Sequence, residues 1–246
     1  MPEMTTTKDL ILGDRLILNQ PARGHRAGSD AVLVAAAVPI KPGEVLADFG
    51  AGVGSAGLAV LMRVPDAQGV LIEIDPDLAE LAAINIAENG LNARVVTGDV
   101  ASLGKDLEAG LTVDHIVSNP PYNAPGGRAP ADEKTARARI APEGMLEDWM
   151  RAAMRILSPG GTITFIHRPE AQAEILAALG NRFGGVVLRF VHGSADVPAI
   201  RVIVQARKAR RAPLRVLPPL ILNAGEGAFT PEAEALHRDL AALDMG

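Results

Sequence analysis

Short runs of branched aliphatic residues, set between longer helical patterns, most narrowly limit what this 246-residue chain can fold into. Val45–Phe49, Gly69–Ile74, Ala93–Thr97, Val113–Ser118, Thr162–His167, Val186–Val191 and Ile200–Ala206 read as strands. Most lack the in–out alternation of a strand with one wet face, so they are expected to be covered on both faces. Pro76–Glu88 reads as a helix. Asp75 caps it, Pro76 takes its first position, and Asn89-Gly90 ends it. Leu78, Leu81, Ala82 and Ile86 share its apolar face. A second helix is expected over Met145–Leu157, stopped by Ser158-Pro159-Gly160-Gly161. Strand–helix–strand alternation implies a mostly parallel sheet with helices on both sides. Only residues 192–199 join the last two strands, too few for a parallel crossover, so these strands should pair antiparallel.

The expected fold class is therefore α/β, a Rossmann-like seven-stranded sheet with an antiparallel last hairpin and a short N-terminal extension. A single domain spans residues 1–246, with an extension over 1–44, a core over 45–209 and a C-terminal tail over 210–246. In the extension, Asp14–Asn19 reads as a strand, and Ser29 and Asp30 as caps for a helix over Ala31–Ala37. The long Gly/Pro-rich stretch Asn123–Gly144 directly follows a strand end, where loops are more often functional than linking. The absence of cysteine removes disulfides, thiol nucleophiles and cysteine metal sites. The five histidines show no ligand spacing, so no metal is expected. The polar start lacks the features of a signal peptide, and the longest apolar run, Ala31–Ile40, is half the length of a membrane span. These features read as a soluble cytoplasmic protein with no membrane partner. A net charge of −5 means that any surface for nucleic acid must be local.

The first core strand runs into Asp48-Phe49-Gly50-Ala51-Gly52-Val53-Gly54 and then a helix. Alternate glycines let the backbone turn tightly and a ligand lie against it, and the helix N-terminus behind them favours polar or anionic groups. The spacing is G-x-G-x-G with an acid two residues before the first glycine, which resembles the first motif of class I S-adenosylmethionine-dependent methyltransferases. Glu73 closes the second core strand, where a carboxylate can accept both hydroxyls of a ribose. Asp75 is the competing acid, with the helix cap as its expected job. At the third strand end Asp99 is placed to accept from the exocyclic amine of an adenine, with Val100 against the ring.

Ser118-Asn119-Pro120-Pro121-Tyr122, after the fourth core strand, carries the sharpest signal. It matches the (D/N/S)-P-P-(Y/F/W) motif of methyltransferases that modify planar amino groups. An amine conjugated to a base or carbonyl is a poor nucleophile because its lone pair is delocalised. The Asn119 side-chain oxygen and the Pro120 carbonyl can accept both amine hydrogens and point the developing lone pair at a methyl donor. Consecutive prolines stiffen that backbone, and Tyr122 can stack on a flat substrate. The expected catalysis is positioning rather than acid–base chemistry.

The order D48-x-G-x-G-x-G, E73, D99, N119-P-P-Y, with the lead Gly24-His25-Arg26-Ala27-Gly28-Ser29-Asp30, the start Leu146-Glu147-Asp148-Trp149 and Ile166-His167-Arg168-Pro169-Glu170, resembles the bacterial tRNA1(Val) adenine-37 N6-methyltransferase family. The resemblance implies methylation of an adenine N6 in tRNA, with S-adenosylmethionine as cofactor. It further implies that Asp48, Gly50, Gly52 and Gly54 meet the methionine moiety, Glu73 the ribose, Asp99 and Val100 the adenine, and Asn119 to Tyr122 the target base. Gly28 and Asp30 would pack over the cofactor. For tRNA itself, the run Arg201–Arg215 holds six positive charges and no acid, and Arg207, Lys208, Arg210 and Arg211 form a candidate phosphate patch. Arg128, Arg137 and Arg139 in the long loop are candidates for the RNA backbone near the site's mouth. The same N-P-P-Y serves glutamine methyltransferases acting on proteins, but those resemble chains with a longer helical region before the glycine motif. A non-catalytic RNA-binding protein on the same scaffold is the alternative outside enzymes.

Overall fold

A computed structural model describes residues 5–22, 28–121, 143–225 and 227–246. The chain opens with a hairpin, β1 (Thr6–Ile11) and β2 (Leu16–Pro21), and then α1 (Ser29–Ala36). The core alternates β3 (Val45–Phe49), α2 (Ser55–Arg63), β4 (Gln68–Glu73), α3 (Pro76–Asn89), β5 (Ala93–Thr97) and β6 (Val113–Ser118). It continues through α4 (Met145–Ile156), β7 (Leu157–His167), α5 (Gln172–Leu179), β8 (Phe183–His192) and β9 (Ala199–Lys208). All seven expected strands are present. The sheet order is β8-β9-β7-β6-β3-β4-β5, with β9 alone running antiparallel to its neighbours. The reversed hairpin is therefore real, and its second strand is inserted between β7 and β8.

Two short strands, β10 (Arg215–Val216) and β11 (Leu220–Ile221), pair parallel with the outer edge of β8 and widen the sheet beyond seven. Residues 210–246, expected as a tail, pack back onto the domain. After the small ribbon β12 (Asn223–Gly225) and β13 (Ala228–Phe229), α6 (Pro231–Arg238) lies against α1. Leu220, Leu236, Leu243 and Met245 are buried there, and the Leu243 N–H donates to Ala36 O. Of the N-terminal hairpin, β2 overlaps the strand expected over Asp14–Asn19, whereas β1 lies in a polar stretch where no strand was expected.

Alternating residues of each buried strand feed two cores. Leu46, Leu71, Val117, Ile166 and Ile203 face α1, α2, α3 and α6, whereas Phe49, Ile72, Ile116, Phe165 and Val204 face α4 and α5. Burying each such side chain contributes roughly 1.5–3 kcal/mol. In α4 the buried stripe Met145, Leu146, Trp149, Met150, Ala153 and Ile156 alternates with exposed Glu147, Asp148 and Arg151, which pair with one another. Asp75 caps α3 as expected, accepting from the N–H groups of Asp77 and Leu78. Ser29 and Asp30 do not cap α1. They lie in its first turn, behind Gly28 as N-cap, because tertiary partners claim both side chains. Ser29 Oγ lies 3.1 Å from His237 Nε2, and Asp30 Oδ2 accepts from Arg201 Nε at 2.7 Å. Among the described residues no helix is long and apolar enough to cross a membrane.

Candidate active site

The register of the central strands lines up four strand ends. Phe49 of β3 is opposite Ile72 of β4 on one side and Ser118 of β6 on the other, and Glu73 is opposite Thr97 of β5. Glu73 and Asn119 therefore flank Gly50 one residue beyond the pairing, at the point where successive crossovers leave β3 in opposite directions. In open α/β sheets that switch point is where ligands bind. Ser118 Oγ donates to Phe49 O at 2.9 Å and locks the two strand ends together. Asn119 and Pro121 are half-buried at this rim and Pro120 is buried. Tyr122, Arg128, Arg137 and Arg139 lie outside the described residues.

The glycine loop serves both packing and access. Gly50 sits at φ +66°, and a Cβ there would meet Trp149 Cη2 at 2.7 Å. Trp149 is 8% exposed and packs edge-on against Phe49, ring centroids 6.0 Å apart. Gly52 sits at φ +57° with nothing within 4 Å of where a Cβ would stand. Its N–H donates to Glu73 Oε2 at 2.7 Å, while Glu73 Oε1 accepts from the Asp75 N–H at 2.9 Å. The Ile74 N–H also donates to this carboxylate, which keeps acceptor capacity for a ligand hydroxyl. Gly54 is the N-cap of α2. Burial raises the Glu73 pKa, the Asp75 charge adds to this, and the N–H bonds oppose it.

Asp48 is 1% exposed and turned under the loop, where Oδ2 accepts the Gly57 N–H at 2.7 Å. The structure thus shows it holding the start of α2 from below. Burial pushes its carboxyl up to about 7, with the Glu73 charge adding and the Gly57 N–H opposing. A raised carboxyl stabilises the fold below its ordinary pKa and loses that contribution as pH climbs through about 7. Asp48→Asn removes this titration. The variant should gain roughly 2 kcal/mol relative to the parent between pH 5 and pH 8. Urea unfolding at both pH values measures the gain, and parallel profiles would contradict it.

The other expected residues are placed as follows. Asp99 is exposed at its strand end and caps the 3₁₀ turn Val100–Ser102 through the Ala101 N–H at 2.9 Å. Val100 is 4% exposed and lies in the core beneath. Gly28 is exposed in extended backbone at the head of α1, and Asp30 is tied to β9 by Arg201. Arg207, Lys208, Arg210 and Arg211 do not reach this rim. β9 runs away from it, so Val202 pairs with His167 at the crevice end while Arg207 pairs with Thr162 at the other. Among the described residues no cluster of histidines and carboxylates is placed to hold a metal ion.

Two residues at the candidate site escaped the sequence. Ile74, next to Glu73, is 66% exposed, an apolar side chain at the rim that packing does not require. Asn85 is fully buried and latches the glycine loop to the N-terminal hairpin. Its Nδ2 donates to Val53 O at 2.9 Å and Asn19 O at 3.0 Å, and its Oδ1 accepts from Asn19 N–H at 2.7 Å. The signal was a polar residue four positions after Leu81 on the apolar face of α3. Asn85→Ala takes this partner from one buried and two half-buried main-chain groups and should cost about 3 kcal/mol by chemical denaturation. It should also weaken ligand binding at the loop about tenfold, read calorimetrically. Full affinity in a destabilised variant would confine Asn85 to the hairpin.

Residues 26–189 match the model of the methyltransferase small domain family. The chain is 32% identical to a tRNA1(Val) (adenine(37)-N6)-methyltransferase of Porphyromonas gingivalis over 91% of each chain. A protein of the same name from Bacteroides fragilis is 31% identical over 57% of this chain and 59% of its own length. Among solved structures, a predicted O-methyltransferase from Agrobacterium tumefaciens superposes with a TM-score of 0.73 at 35% identity, covering 87% of this chain and 98% of that one.

Proposed function

Because the chain belongs to the methyltransferase small domain family, its reaction is methyl transfer, and we propose that the donor is S-adenosylmethionine and the acceptor the exocyclic N6 amine of an adenine in tRNA. The observation that carries this reading is the row of strand ends around Gly50, with a cofactor-type cradle on one side and Asn119-Pro120-Pro121 on the other. The residues present fit the donor. Open space over Gly52 admits a ligand against the backbone, and Glu73 retains acceptor capacity for a ribose hydroxyl. Asp99 is exposed to accept from an adenine amine, and Ile74 offers an apolar surface for its ring. When bound, S-adenosylmethionine supplies an electrophilic methyl group.

The chain's own part is orientation. Asn119 Oδ1 and the Pro120 carbonyl accept the two hydrogens of the amine, which turns its nitrogen lone pair out of conjugation and toward the donor side of the rim. Ser118, locked to Phe49, holds Asn119 at a fixed height beside Gly50. The base must leave its stack to enter, since a stacked amine cannot reach the rim. Relatives named as tRNA adenine-N6 methyltransferases support RNA over protein as substrate. The test is incubation of the purified protein with methyl-labelled S-adenosylmethionine, unmodified bulk tRNA and, separately, total cell protein. Label is expected in tRNA, and label confined to protein would overturn the reading.

A further inference from the structure

Resting on the reading of tRNA as substrate, we infer that the far end of the sheet carries a second phosphate-binding site for the same RNA. β9 carries Arg207 and Lys208 five to six residues past the crevice-level Val202, about 17–20 Å along the strand. There Arg207, Lys208, Ala209 and Arg210 line a cavity of about 460 Å³ with Pro159 and Gly160. Arg211 follows directly and is exposed. The run that looked like one basic patch in the sequence is thus divided by the strand. Arg201 stays at the crevice end, paired with Asp30, and the cluster stands at the other.

The cluster is built on a pinned backbone. The Ala209 N–H donates to Arg182 O at 3.0 Å and the Gly185 N–H to Ala212 O at 3.1 Å. Gly184 lies so close that a Cβ there would stand 1.8 Å from Arg210 O. Ala209 holds φ +55°, which a non-glycine residue keeps only when its surroundings enforce it. Lys208 Nζ is anchored on Leu157 O.

Among the described residues, the guanidinium groups of this cluster lack internal partners. Among the described residues, Arg94, Arg151, Arg182, Arg189, Arg201 and Arg238 pair with carboxylates. Arg15, Arg63, Arg155 and Arg215 donate to main-chain carbonyls. Arg207, Arg210 and Arg211 do neither. Asp114, on β6 beyond β7, already accepts the Val45 N–H at 3.0 Å. Unpaired guanidinium groups over a pinned concave backbone suit phosphate oxygens. The distance from Asn119 assigns this site to RNA backbone remote from the methylated base. Its contribution is to hold the body of the tRNA, not the target nucleotide.

The test replaces Arg207, Arg210 and Arg211 together with alanine and measures binding of full-length tRNA across a salt series. Binding of a short stem-loop carrying the target adenosine is measured alongside. The single exposed change Arg210→Glu is run in parallel, and calorimetric affinity for S-adenosylmethionine reports on an intact fold. For full-length tRNA the triple variant should bind tenfold or more weakly, with a log–log salt slope shallower by about two to three. The stem-loop should bind variant and parent alike. An unchanged slope, in a protein that methylates tRNA, would overturn this site and leave the function standing. Equal losses for tRNA and stem-loop would contradict its remoteness. If the parent neither binds nor methylates tRNA, the proposed function falls and this site with it.

Discussion

Asn119→Ala is expected to slow methyl transfer by a hundredfold or more while affinity for S-adenosylmethionine stays within about tenfold. Asn119 is half-buried at the end of β6, on the far side of β3 from Glu73. In the proposed mechanism its amide oxygen is the acceptor that turns the target amine out of conjugation, an interaction worth most when the nitrogen lone pair is committed to attack. Removing it raises the barrier without removing the surfaces that bind the donor. The strand end survives the change because Ser118 Oγ, not Asn119, ties β6 to Phe49. Single-turnover kinetics at saturating donor, together with calorimetry, separate the two quantities. A parallel collapse of rate and donor affinity would make Asn119 a structural residue and remove the amine mechanism.

Gly50→Ala should destabilise the fold by about 3 kcal/mol. Holding a side chain in left-handed backbone accounts for roughly 1–2 kcal/mol, and overpacking for roughly 1–3 kcal/mol. The added methyl would stand 2.7 Å from Trp149 Cη2. Because Trp149 is sandwiched between Phe49 and the loop, the ring has little room to retreat. Trp149→Phe removes the offending atoms, so in a double-mutant cycle the two changes should couple by at least about 1 kcal/mol in the compensating direction. Urea denaturation of the four proteins gives the coupling energy. Strict additivity would show that the loop shifts away from α4 freely and that Gly50 is present for the ligand alone.

Gly50 also illustrates what the sequence could and could not convey. The alternate glycines pointed correctly to a tight turn at the end of β3. Only the structure separates Gly52, with open space beside it, from Gly50, wedged against an indole. Most of the core strands were legible because their central residues are buried on both faces and are therefore rich in Val, Ile, Leu and Ala, although β5 at the sheet edge is largely half-buried or exposed. In the N-terminal hairpin the second strand was legible as Asp14–Asn19 but β1 was not, since burial in β1 alternates between exposed and half-buried and its sequence TTKDLI is largely polar. Residues 210–246 were opaque for a related reason. Their strands are two or three residues long, and the side chains that enter the core, such as Leu220, Leu243 and Met245, are scattered without a period. The sequence of charges does not convey their placement on the sheet. Arg201 and Lys208 are seven residues apart in sequence, yet one extended strand carries them to opposite ends of the sheet.

The most direct test of the amine chemistry is the identity of the methylated nucleoside. Unmodified tRNA is labelled by the purified protein and S-adenosylmethionine, digested to nucleosides and separated by chromatography with mass detection. The label is expected in N6-methyladenosine, and it should fall a hundredfold or more with Asn119→Ala. Label in a 2′-O-methylated nucleoside, or on a ring nitrogen, would contradict an exocyclic amine as the acceptor held by Asn119 and Pro120.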